Sequence, residues 1–281
     1  MEFKFSNIED LLEKLKAAKH IHIQDLDWID PVGIAILKQY KVSFPEANVK
    51  TSGKSFNYVT QLLETTHSPM QHHLSVIHFD NKTDNIDELK SILTHKIIDY
   101  AENLSSEEKE DLSEYLEYMI SEMMGNVISH AKSIHGGFVT AQYYAKEKKV
   151  QVVIIDGGVG FLATLSKHFE VKDEGEAIQK ALEKEVTGSN KYSTYNNAPK
   201  HAGLGLFFLS KILEETEGNL IIISNNTIFK YPRNTIGALD TAFKGSVIAF
   251  EIFIDKIDND FMTVFKRIGY VEDVEDDEDI F

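Results

Sequence analysis

The sequence predicts an α/β (α+β) protein, in which a small α/β domain precedes a larger one. Three observations carry this reading. Segments with the three-to-four residue apolar spacing of helices alternate with short apolar runs of strand length. Glycine turns punctuate the second part of the chain, where Asp156-Gly-Gly158-Val-Gly160 follows an apolar run, Gly203-Leu-Gly205-Leu206 precedes a helical one, and Gly245-Ser246 enters a strand. The polar stretch beginning at Asn81 marks a boundary, which divides the chain into 1–80, 81–256 and an acidic tail over 257–281.

The elements follow in order. A helical period runs through residues 8–15, and 20–25 alternates like a strand. Asp30 and Pro31 open the next helix, Asp30 as its cap and Pro31 in the first turn. A helix over 56–64 and a strand over 74–79 complete the first domain. Helices are then expected at 86–103 and 106–132, with Ser105 or Ser106 capping the second and the glutamates among 107–110 near its positive end. Strands at 138–144 and 150–155 lead to Asp156. Helical patterns follow at 162–169 and 174–186. Residues 187–202, rich in Gly, Ser, Asn, Lys and Tyr, read as a lid. A helix at 204–215 stops at Gly218, and strands are expected at 220–224, 228–231 and 246–254. The segment from Glu272 reads as a solvated acidic end.

Composition narrows the function. With 42% hydrophobic and 26% charged residues the chain is an ordinary globular one, and no apolar run approaches the ~18–20 residues that span a bilayer. No secretory signal is read at Met1, so a cytoplasmic location is expected. Zero cysteines exclude disulfides and thiolate chemistry. A net charge of −16 opposes direct binding to nucleic acid, whose phosphates demand Lys and Arg.

The chemistry-bearing residues form an ordered set. Glu122, Asn126 and His130 recur every four residues and so share one helix face, amid Met119, Ile120, Met123 and Val127. Asp156 stands where an apolar strand ends and can accept a hydrogen bond from an exocyclic amine, while Gly158 and Gly160 let backbone approach a ligand closely. Gly203 and Gly205 precede a helix whose free N–H groups favour a phosphate. Neither a Walker loop nor a strand-first dinucleotide fingerprint is present. Lys191 and Lys200 flank the lid and are within reach of a phosphate, or are simply solvated.

The order and spacing of these motifs strongly resemble the Bergerat-fold (GHKL, histidine-kinase-like) ATPases over about residues 86–255. The resemblance implies that the second domain is a two-layer α/β sandwich of the histidine-kinase-like ATPase type and that the cofactors are ATP and Mg²⁺. It makes Asn126 the magnesium ligand, Asp156 the adenine-specifying carboxylate, and Gly158, Gly160, Gly203 and Gly205 the nucleotide-contacting glycines. Ser246, with Gly245, stands for the final Gly-Thr box beside the adenine. Glu122 is the candidate catalytic base, activating water or orienting a phosphoacceptor. His130 and Lys200 are candidate phosphate contacts, His130 being equally readable as a structural histidine.

Residues 1–80 resemble the STAS-type fold of anti-sigma-factor antagonists, in which a turn opening a helix carries a phosphorylatable hydroxyl. The matching turn here is Asp30-Pro31-Val32-Gly33, without the hydroxyl. Thr94-His95-Lys96-Ile97 lacks the acidic neighbour of an autokinase phosphoacceptor box. The resemblance therefore lies nearest the anti-sigma-type regulatory kinases. It implies hydrolysis or phosphoryl transfer in signalling, a protein partner met through the STAS-like domain or the lid, and a homodimer as one allowed state. The alternative is a non-enzymatic switch in which ATP orders the lid.

Overall fold

The computed structural model describes residues 1–16, 20–64, 76–80, 86–184, 186, 205–257 and 261–267. The N-terminal elements are β1 (Glu2–Phe3), α1 (Glu9–Lys14), β2 (His20–Ile23), β3 (Trp28–Ile29), α2 (Pro31–Ser43), β4 (Asn48–Thr51) and α3 (Phe56–Glu64). They pair in parallel as two separate two-stranded sheets, β1 with β3 and β2 with β4. A parallel pair needs a long crossover, and α2 lies within the one that joins β2 to β4.

Pro31 occupies the first turn of α2, but Asp30 does not cap with its side chain. Its carboxylate accepts instead from the Phe5 N–H at 2.8 Å, Trp28 Nε1 at 2.6 Å and the Tyr144 hydroxyl at 3.1 Å. The helix donors are met otherwise: Gly33 N–H by the Asp30 carbonyl at 2.9 Å, and Val32 N–H by Gln151 Oε1 at 3.4 Å. Three converging donors thus outcompete the local cap. Asp30→Ala orphans them together and is expected to lower unfolding stability by about 2–4 kcal/mol in chemical denaturation.

After β5 (Ile77–Phe79) come α4 (Ile86–Tyr100), α5 (Ser106–Asn126), β6 (Gly137–Tyr144), β7 (Lys149–Asp156), α6 (Gly160–Leu165) and α7 (Glu174–Ala181). Then follow α8 (Gly205–Glu215), β8 (Asn219–Ser224), β9 (Thr227–Tyr231), β10 (Thr235–Ala238), β11 (Ser246–Phe253) and α9 (Phe261–Arg267). Ser105 caps α5, exchanging hydrogen bonds with Glu108. The helix expected to reach residue 132 ends as an α-helix at Asn126 and continues as a π-helical turn, Val127–Ala131.

Seven strands form one sheet in the order β10-β9-β8-β11-β7-β6-β5, with every pairing antiparallel. The strand expected at the end of the N-terminal domain, β5, pairs with β6 and so belongs to this sheet. Period-two alternation sends Val150, Val152 and Ile154 to one face and Val153 and Ile155 to the other. The first face packs against Leu116, Ile120 and Met123 of α5, Ile97 of α4 and Leu209 of α8.

The second face is covered too. Phe138, Val153, Ile155, Ile221, Ile223, Val247 and Ala249 share a core with Val32, Ile36, Leu37 and Tyr40 of α2. The expected two layers are therefore three, because α2 is apolar almost all round and must be buried on every side. The Asp30-Pro31-Val32-Gly33 turn is buried with it. A polar seam runs through this junction, where Glu251 accepts from Lys149 at 2.6 Å, Gln151 at 3.3 Å and Asn219 at 2.9 Å.

Part of the stretch expected as acidic tail is folded: α9 packs on α5, Val264 is buried, and Arg267 pairs with Glu215 at 3.4 Å. Among the described residues no helix is long and apolar enough to cross a membrane.

Candidate functional site

Strand β7 ends at Asp156, between Gly137 of β6 and Ser246 of β11. Its carboxylate is 2% exposed and accepts from the Gly158 N–H at 2.7 Å. The Ser246 hydroxyl and N–H also donate to it. All of these donors are neutral. Burial therefore dominates and pushes the Asp156 carboxyl up from 3.8 to about 6, although the hydrogen bonds pull it down.

Asp156 opens on a cleft with about 710 Å³ of empty space, its open mouth included. Asn126, His130, Asp156, Gly160, Gly205 and Ser246 all line it. They come from the end of α5 and its π-helical extension, the turn after β7, the start of α8 and the start of β11. Phe161, Leu165, Leu206 and Ile248 supply apolar walls. One side of the cleft is thus apolar and closed by a buried carboxylate, and another offers an amide and a helix N-terminus.

Each glycine of the first turn answers a different demand. Gly160 has φ +80°, a conformation that L side chains rarely adopt. Gly158 lines no part of the cleft: a Cβ there would stand 1.9 Å from the Ala131 carbonyl oxygen, so the turn is pressed against the end of the π-helix. The hydrogen bond from Val159 N–H to the same oxygen, at 2.9 Å, holds that contact. Gly158 therefore acts through the Asp156 carboxylate that its N–H binds.

Glu122 abuts the cleft at Gly205, the first residue of α8, and does not itself line it. Its Oε2 is 2.4 Å from the point a Cβ on Gly205 would occupy, so only glycine lets the start of α8 approach the carboxylate this closely. Burial raises the Glu122 carboxyl above its usual range. The Asn126 amide nitrogen lies 4.0 Å from Met123 Sδ, and its Oδ1 has no hydrogen-bond partner among the described residues. Burial lowers the His130 pKa from 6.5, which leaves a neutral imidazole at pH 7 with one N–H to offer. Gly203, Lys191, Lys200 and the lid at 187–202 lie outside the described residues.

A hub that the sequence reading missed holds the Asp156 side of the cleft. Buried Glu174 accepts from the Leu162 N–H at 3.0 Å, from Asn225 Nδ2 at 2.6 Å and from the Ser224 hydroxyl. Ser224 Oγ accepts in turn from the Phe161 N–H at 2.9 Å. Asn225 joins the two glycine turns: its Nδ2 donates to the Val159 carbonyl at 3.3 Å, and its Oδ1 accepts from the Gly245 N–H at 3.1 Å. These side chains satisfy free donors at the start of α6 that would otherwise need water. The one local signal was a carboxylate at the head of a helix, which reads as a helix-dipole residue and not as a tertiary tie.

Comparison with models of known protein families finds none that matches the chain, and comparison with curated proteins finds no match either.

Proposed function

We propose that the chain is a Mg-ATP-binding regulatory protein of the Bergerat type, which hydrolyses ATP or passes its γ-phosphoryl group to a protein partner in cytoplasmic signalling. The observation that carries the reading is the convergence of Asn126, Asp156, Gly160, Gly205 and Ser246 on one cleft from segments far apart in sequence. A buried carboxylate with neutral partners suits the exocyclic amine of adenine, and the N-terminus of α8 suits phosphate. Asn126 Oδ1 is the oxygen on hand for magnesium, which usually keeps water and substrate phosphates as its other ligands. No group of three or more His, Asp or Glu among the described residues could hold a metal alone.

Magnesium, when bound, would supply neutralisation of phosphate charge, which this acidic chain offers sparingly. Glu122, beside the start of α8, is the proposed base or orienting group. A protein partner would meet the outward side of the N-terminal layer or the lid, because the Asp30–Gly33 turn is covered. Nucleic acid is not the proposed ligand.

The test is a titration of the full chain with ATP and Mg²⁺, with γ-labelled ATP followed into free phosphate or protein. Asn126→Ala is expected to weaken Mg-dependent ATP binding by about tenfold or more, equivalent to one charge-assisted contact. Label in phosphate assigns an ATPase and label on protein a kinase. Saturable binding without turnover points to the non-enzymatic switch or to a partner substrate missing from the assay. No ATP binding in the wild type overturns the reading.

A further inference from the structure

The cleft and the N-terminal layer lie on opposite sides of the turn that follows Asp156. From the outer side, Gln39 of α2 reaches that turn. The side chain is 2% exposed, and its Nε2 lies 2.2 Å from the point a Cβ on Gly157 would occupy. The amide carbon is 3.2 Å from the same point and Ser43 Oγ 3.5 Å. The amide thus takes the space next to the Gly157 Cα in which a side chain would stand.

Gly157 is not among the glycines with positive φ, which are Gly53, Gly136, Gly160 and Gly245. Its backbone does not call for glycine; the space that Gln39 takes does. Gly157 sits between Asp156 and Gly158, whose N–H holds the Asp156 carboxylate. A displacement at Gly157 therefore moves the carboxylate or its donor.

Gln39 is also an awkward residue to keep there. Nε2 donates to Ser43 Oγ at 3.2 Å, but Oε1 is buried without a hydrogen-bond partner. An unmatched buried acceptor lowers stability, so an apolar side chain of the same length would serve packing at least as well.

We infer that Gln39 is a positioning residue of the nucleotide cleft: through its contact with Gly157, the N-terminal layer sets where Asp156 stands, and nucleotide binding is linked to the seating of α2. The inference rests on the ATP reading of the cleft. Linkage makes the effect reciprocal. Whatever shifts α2 weakens nucleotide binding, and bound nucleotide holds α2 in place.

The test is a double-mutant cycle on the full chain, with ATP and GTP titrated against the wild type, Gly157→Ala, Gln39→Ala and the double variant, each checked by thermal unfolding. The Gly157→Ala methyl meets the Gln39 amide, so ATP affinity and the preference for ATP over GTP are expected to fall together, by about tenfold. Adding Gln39→Ala removes the obstruction and restores both to within about threefold of the wild type, a coupling of the size found for residues in contact. Gln39→Val, which is apolar and two atoms shorter, serves if Gln39→Ala fails to fold; paired with Gly157→Ala it also clears the obstruction and is expected to restore both.

Equal weakness of Gly157→Ala and the double variant places the requirement in the turn itself and overturns the inference. So does wild-type affinity in every variant. If the wild type binds neither nucleotide, the ATP reading fails first and the inference falls with it; if it binds ATP and the cycle shows no coupling, the inference alone fails.

Discussion

Glu122→Gln is expected to lower turnover of ATP by about 10²–10⁴, the usual contribution of a general base, with ATP affinity held within about threefold. The variant keeps the shape that fits against Gly205 and removes the charge. Steady-state release of labelled phosphate, or label on a protein acceptor, measures the first effect and an equilibrium titration the second. Because burial raises the Glu122 carboxyl, its base form is lost on acidification from a higher pH than an exposed glutamate would show. Unchanged turnover in Glu122→Gln removes this residue from the mechanism.

Asp156→Asn is expected to weaken ATP binding by roughly 10–100-fold, since a buried charged acceptor contributes about 1.5–3 kcal/mol. The new amide turns a donor toward a donor, so the loss falls more heavily on ATP than on GTP. The same variant reports on the buried charge. The folded-state carboxyl lies above its unfolded value, so it contributes stability that is fully present below about pH 4 and lost as pH rises through about 6. The rise from 3.8 to about 6 corresponds to about 3 kcal/mol. The unfolding free energy of the wild type minus that of Asp156→Asn should therefore fall by about this amount between pH 4 and pH 7 in the absence of nucleotide. ATP affinity should move oppositely and strengthen as Asp156 ionises. A flat difference curve would mean that water reaches the carboxylate.

The inner half of the molecule was legible because its elements carry local signals. Ser105 and Glu108 form a capping box, the helix they start has a clear period, and β7 is a single apolar run ended by Asp156 and glycines. Asn126, His130, Asp156, Gly160, Gly205 and Ser246 were grouped by the order of their short motifs along the chain, although the cleft they line joins distant segments. What was not legible depends on contacts distant in sequence. β1 and β3 have two residues each, too short for any period. Asp30 looked like a cap because nothing nearby discloses that Phe5, Trp28 and Tyr144 will bring their donors to it. Glu174 and Asn225 meet across 51 residues of sequence. One signal was present and underused: Val32 to Leu37 is apolar without interruption, the pattern of a helix with no side left for water.

The covered outer face of the sheet also sets an order of events during synthesis. The N-terminal layer leaves the ribosome first, carrying α2 with apolar residues on all sides. Its cover includes Val247 and Ala249, on the strand that joins β7 to β8. That strand is the last of the sheet to be made. Until then the layer has no complete surface to settle on, and unburied apolar faces of this kind promote aggregation. The nascent chain must carry this apolar helix until β11 is made, and its greatest need for a chaperone comes before the cleft at Asp156 exists.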